Sequence, residues 1–216
     1  MSGIQRESDH TTKEAPPLLT RHVQDIVDAL RSVESSEADR IRARRDVAII
    51  LLGYAGALRR SEIASVDAGH LTDRDDGYAL LVPESKTDQP GSGQYVGILR
   101  AGSEYCPCRA LDRWIATSGI DEGAVFRGVH WSGSIMDRIS PQTVHRIVQH
   151  GAEAAGLSVS PTGHSLRAGH ITQATINDVP DGTIRSQSRH EDPSTFYGYQ
   201  RVHKALEKSS SGQLGL

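Results

Sequence analysis

At 216 residues the chain has room for one sizeable domain with a true hydrophobic core, and two domains would be cramped. Hydrophobic residues at 37%, aromatics at 5% and charged residues at 24% describe a soluble globular protein with an aliphatic core and argue against disorder except at the ends. The formal net charge of −3 gives no overall field toward a polyanion, so any affinity for phosphates has to come from local gatherings of arginine.

The longest apolar run, "VAIILLGYAGAL" at 47–58, is too short to cross a bilayer, and no secretory signal opens the sequence. These features point to a cytoplasmic protein. Cys106 and Cys108 stand in "CPC", too close for an ordinary disulfide and without a second pair to close a zinc site. Buried thiols at a helix start are the expectation.

Residues 1–17 are polar and end in Pro16 and Pro17, and they read as a linker. A helix follows from Thr20, taken as its N-cap, with Val23, Ile26, Val27 and Leu30 at helical spacing. A second runs from about Glu37 to Tyr54, in which Arg40, Arg42, Arg44 and Arg45 precede the apolar half, and a short third begins near Ser61. The period then changes. "GYALLVPES" and "GQYVGILR" flank the turn residues of "KTDQPGSG", which predicts a β-hairpin with Lys86 near its tip.

"CPCRALDRWIATSG" reads as a helix closed by Gly119, and "AVFRGV" as a short strand. A helix capped by Ser140, with Pro141 at its first position and Gly156 past its end, is followed by helices across 164–177, 181–188 and 193–200. Trp114 and Trp131 are expected in the core or at its edge, and His170 as a packed or surface histidine. The fold class is α+β, mainly α, with one small antiparallel sheet. The low-complexity tail at 204–216 is expected to be flexible.

Several stretches carry chemistry. In "TGHSLRAGH", His164 and Arg167 are three apart at a helix start, so they share a face where backbone N–H groups point outward, an arrangement that suits an anion. "GALRRSEI" places Arg59 and Arg60 between a buried helix and a new one, where rigid packing holds a side chain while its head reaches the surface. Glu62 is placed to cap or orient. "RHEDPSTFYGY" offers His190 followed by Tyr197 and Tyr199, and on a helix residues two apart face about 200° away from each other, so both hydroxyls cannot enter one site.

In this order the stretches resemble the catalytic domain of the tyrosine recombinase, or phage-integrase, family over about residues 18–203. "ALRRSE" resembles its first arginine box and implies Arg59; "SKTD" its hairpin lysine, Lys86; "HSLR" its H-x-x-R box, His164 and Arg167. In "RHEDPSTFYGY" the family's nucleophile stands nine residues after the histidine, which selects Tyr199 over Tyr197. The resemblance implies site-specific DNA cleavage and rejoining by transesterification through a 3′-phosphotyrosyl intermediate, without ATP, cofactor or metal.

The same resemblance gives Arg59, Arg167 and His190 to the phosphate, His164 to the tyrosine's proton and Lys86 to the leaving oxygen. It implies double-stranded DNA as partner, a homotetramer on DNA and a monomer without it. Backbone phosphates are expected to meet Arg40, Arg42, Arg44 and Arg45, and Arg138, His145, Arg146 and His150 around the following helix. Two departures stand out. The family's N-terminal DNA-clasping domain is missing, with residues 1–17 as its remnant or linker, and Ser188-Arg189 replaces the Leu-Gly of many relatives. A DNA-binding remnant without activity, or a topoisomerase-like relaxing enzyme, are the alternative expectations.

Overall fold

The computed structural model describes residues 15–33, 35–83 and 93–190. Those residues form seven α-helices, a 3₁₀ turn and two small antiparallel sheets, the mainly helical α+β class that the sequence implies. The axis is α2 (Glu37–Ala55), whose N-cap Ser36 accepts a hydrogen bond from the Asp39 amide. Its second half, Val47 to Leu52, is buried without interruption. A helix with no polar face has to be wrapped on all sides. Here α1 (Thr20–Ser32), α4 (Pro107–Ser118) and α6 (Ser165–Ile176) do the wrapping.

Thr20 is the first residue of α1 rather than its cap, a position held by Leu19. Its hydroxyl is instead 2.8 Å from the Tyr54 hydroxyl, tying the start of α1 to the end of α2. The preceding residue Leu18 donates its N–H to Ser165 O and crosses α6 at Gly169, where a Cβ would lie only 1.9 Å from Leu18 O.

The expected hairpin is present: β2 (Gly77–Val82) pairs with β3 (Gln94–Leu99), with Leu80 opposite Val96 and Tyr78 opposite Ile98. Residues 84–92 between them, Lys86 included, lie outside the described residues. A third strand, β1 (Leu71–Arg74), extends this sheet in the order β1-β2-β3. Its sequence, Leu-Thr-Asp-Arg, is mostly exposed and gave no alternation to read.

α4 runs from Pro107 to the left-handed Gly119 cap as expected, burying Cys108, Leu111 and Trp114. The Trp114 indole donates to Val125 O at 2.8 Å. Both cysteines are buried free thiols, with Cys106 at the N-cap of this helix. The strand expected at "AVFRGV" is confined to β4 (Arg127–Val129), and it pairs with an unforeseen β5 (Ile135–Arg138). Trp131 sits in the loop between them and is 79% exposed, which corrects its placement in the core or at its edge. A short hairpin tip has no layer above it to bury an indole.

α5 (Pro141–Ala154) starts from the Ser140 cap. α7 (Asp181–Ser188) packs on α6 through a second small cluster of Ile171 and Ile184 with Ala174 and Val179. That cluster sets where the chain arrives at His190. The helix expected at 193–200 and the tail beyond it lie outside the described residues.

Candidate active site

The site is built where α2 ends. Gly56 terminates the helix, and Ala57 takes a left-handed conformation, φ 47°, that turns the chain sharply and aims its carbonyl inward. Leu58 is buried, which anchors Arg59 at the N-cap of α3 (Arg60–Ala64). Glu62, three residues on, receives the Arg59 backbone N–H on Oε2 and the Arg59 Nη1 on Oε1, each at 2.7 Å. Capping and orienting are thus one act of this carboxylate. Burial acts to raise its pKa, but Arg189 and the hydrogen bonds from Arg59 outweigh that and hold it below the ordinary value.

The second guanidinium arrives from α6. His164 stands at the N-cap and Arg167 one turn later, as the spacing implied. Arg167 is only 3% exposed, and its Nη1 donates to the inward carbonyl of Ala57 at 2.8 Å. Gly163 allows Arg60 to pass: a Cβ there would meet Arg60 Cδ at 2.6 Å. Exposed at the mouth, His164 has its pKa lowered by burial of part of its ring and by the positive charges of Arg60, Arg167 and Arg59. At neutral pH it is an uncharged imidazole able to accept a proton.

His190 follows the left-handed cap of α7, Arg189. Burial, with Arg167, Arg59, Arg189 and Arg185, pushes its pKa down to about 4. Its tautomer follows from its neighbour. The Ser188 hydroxyl gives its one proton to Ile184 O at 2.7 Å, so its oxygen accepts from His190 Nδ1–H at 2.9 Å. In the neutral ring Nε2 therefore carries the lone pair, and His190 donates through Nε2 only once a nearby negative charge has raised its pKa and the ring has taken up a proton.

Four of the six residues singled out, Arg59, His164, Arg167 and His190, are thus brought together, both histidines lying in the field of both arginines. The other two, Lys86 and Tyr199, lie outside the described residues, as does Tyr197. Sequence reasoning missed Arg189, whose Nη2 bonds Glu62 Oε2 at 2.6 Å. The signal was there: a long cationic residue where a helix end invites glycine. His170, expected as a packed or surface histidine, is packed: it lies 2.9 Å from Tyr54 O through Nδ1 and meets the Tyr54 ring edge-on.

The basic residues farther off are arranged differently. Arg40 pairs with Glu37 at 2.7 Å, Arg42 with Asp39 at 2.5 Å, and Arg44 donates to Thr117 Oγ1 at 3.0 Å. Arg45 is 7% exposed and closed into an ion pair with the equally buried Asp46, which removes it from the expected phosphate contacts. Arg40 stands fifteen residues before the end of α2, about 22 Å of helix away from the arginine pocket. Arg138 donates to Ala64 O at 3.0 Å and pairs with Asp67, closer to that pocket. On α5, His145 is half-buried, while Arg146 and His150 are exposed. Among the described residues no group of three or more His, Cys, Asp or Glu is placed to hold a metal ion, and no helix is long and apolar enough to cross a membrane.

Two guanidiniums and two imidazoles gathered near the N-terminus of α6 form a cationic pocket whose geometry suits an anion. The sequence matches the phage integrase family profile over residues 18–205, and the chain belongs to that family. It is 33% identical over 202 residues to an integrase/recombinase XerD homolog of Selenomonas ruminantium, covering 92% of this chain and 58% of that protein. It is 30% identical over 195 residues to tyrosine recombinase XerC of Pseudomonas entomophila, covering 87% and 59%. The chain thus spans somewhat over half the length of these relatives. Its fold superposes on the XerH site-specific recombinase in a post-cleavage complex with palindromic difH substrate, with TM-score 0.67 and 16% identity over 96% of this chain and 56% of that one.

Proposed function

We propose that the chain is the catalytic part of a site-specific DNA recombinase that cleaves and rejoins strands through a 3′-phosphotyrosyl intermediate. The observation that carries this reading is the meeting of Arg59, His164, Arg167 and His190, from three distant stretches, in one electropositive pocket. The Tyr199 phenol attacks the phosphorus. Its proton passes to the neutral His164, the P–O bond to tyrosine forms, and the P–O5′ bond breaks with Lys86 protonating the leaving oxygen. Arg59 and Arg167 neutralise the charge that builds on the non-bridging oxygens, and His190, once protonated, adds a further donor. Resealing is the reverse attack by a 5′ hydroxyl, so the energy of the diester is retained and no ATP is consumed.

Double-stranded DNA is the partner, held by its phosphates through Arg40, Arg42, Arg44, Arg138, His145, Arg146 and His150, with Arg45 left out because it is buried. The assembly on DNA is a tetramer and the free chain a monomer. The test is to incubate the chain with fragmented genomic DNA of its source organism, denature, capture the protein and sequence any DNA still attached. Wild type is expected to retain one recurrent sequence at the 3′ end of the attached strand and Tyr199→Phe none. Arg167→Ala should reduce the adduct by about 10²–10³-fold. No adduct from wild type, or an undiminished adduct from Tyr199→Phe, refutes the assignment.

A further inference from the structure

We infer that Arg189 is a positioning residue for Arg59, acting through Glu62, an inference that rests on the strand-transfer reading above. Its backbone is left-handed, φ 54° and ψ 48°, at the C-cap of α7, a conformation that glycine adopts freely and a side chain resists. Arginine is retained there with its side chain only 6% exposed. What it gains is a set of bonds. Nη1 donates to Gln187 O at 2.7 Å and to Gly56 O at 3.3 Å, and Nη2 reaches Glu62 Oε2 at 2.6 Å and Ala57 O at 3.5 Å.

These contacts select the two groups on which the arginine pocket depends. Glu62 Oε2, fixed by Arg189 and by the Arg59 backbone N–H, leaves Oε1 only one direction in which to point, and there it holds Arg59 Nη1. Ala57 O, which Arg189 also approaches, is the acceptor that holds Arg167. Arg189 therefore joins the end of α7, where His190 begins, to both phosphate-binding guanidiniums. Without it, Glu62 Oε2 keeps only the Arg59 backbone N–H, the half-buried carboxylate gains a second rotamer about that single tether, and Arg59 has two orientations. It touches no substrate itself.

The experiment uses the whole chain with Arg189→Gly, which the left-handed backbone accepts, and Arg189→Lys, which restores one donor. Without DNA, nitrogen-15 spectra should show the Arg59 guanidinium slowly rotating in wild type, averaged in Arg189→Gly and partly restored in Arg189→Lys. The Glu62 carboxyl should titrate at higher pH in Arg189→Gly. On the DNA sequence recovered from the covalent adduct, the single-turnover rate at saturating DNA should fall about 10–100-fold with affinity changed by less than about twofold, and Arg189→Lys should recover part of it. A merely structural staple would lower the melting point and leave the Arg59 signal and the rate of the folded fraction alone, and that result overturns the inference. If Arg189→Gly fails to fold, Arg189→Asn, which also tolerates a left-handed backbone but is too short to reach Glu62, decides by the same Arg59 spectrum: an unchanged guanidinium overturns the inference and an averaged one supports it. If wild type makes no adduct at all, the strand-transfer reading fails, while the Arg59 spectra still decide whether Arg189 orients that side chain.

Discussion

Acidification should destabilise the DNA-free protein, and His190 should account for a measurable share. Its pKa falls from an ordinary 6.5 to about 4 through burial and the arginines around it. The sign follows directly. The unfolded chain takes up this proton near 6.5 while the folded chain refuses it until about 4, so stability present above 6.5 is lost as the pH falls through that window. Between about pH 7 and about pH 5 the linkage relation gives at most about 2 kcal/mol for a shift of this size, and solvent reaching the half-buried ring reduces it to about 1 kcal/mol. His164 and His170 are shifted in the same direction and add to the slope. Urea denaturation of wild type and His190→Gln at the two pH values isolates the share, since glutamine can still meet Ser188 but does not titrate. Wild type should lose about 1 kcal/mol more than the variant. Equal losses would mean that His190 is not held among positive charges, and the convergence of the pocket would be wrong.

Two further outcomes test the scaffold. Arg45→Ala should cost about 3–5 kcal/mol in urea denaturation at neutral pH, because it strands the buried Asp46 carboxylate. Burial already raises the Asp46 pKa, so the loss should shrink at acid pH as that group takes a proton; a penalty that is pH-independent would refute the pairing. Gly169→Ala should cost on the order of 1–3 kcal/mol, since the new methyl meets the Leu18 carbonyl and backbone yields less readily than a side chain. An unchanged denaturation midpoint would show that residues 15–18 do not lie across α6.

How far the sequence was legible follows the physics of each signal. α4 and α5 were read nearly to the residue because Pro107, Gly119, Ser140 and Pro141 act locally, through backbone groups within one turn. β1 and β5 were invisible because each is four residues long and largely exposed, so pairing decided their conformation and composition did not. Trp131 was misplaced for a related reason: apolar character argues for burial, but only the position at a hairpin tip decides it. The meeting of Arg59, His164, Arg167 and His190 could be anticipated because motif order and spacing survive without coordinates. The partners of Arg40, Arg42 and Arg45 were not, since a run of arginines looks the same whether it faces solvent or its own carboxylates.

The arrangement of charge around Glu62 explains why such a pocket can exist in the free chain. Arg59, Arg167 and Arg189 brought close without compensation would repel, and all three, buried or half-buried, would also lose hydration. One carboxylate accepting from Arg59 and Arg189, and one carbonyl accepting from Arg167, offset that cost without cancelling the charge. Net positive charge is left over, and together with burial, the larger cause, it holds His190 and His164 neutral. On the proposed reading, a phosphodiester entering the pocket would supply the missing anion, so the charge that helps keep the imidazoles unprotonated in the free chain would become binding energy in the complex. The left-handed turn at Ala57 is what allows this, because it presents a carbonyl to the arginines at the point where α2 ends and the Arg59 cap begins.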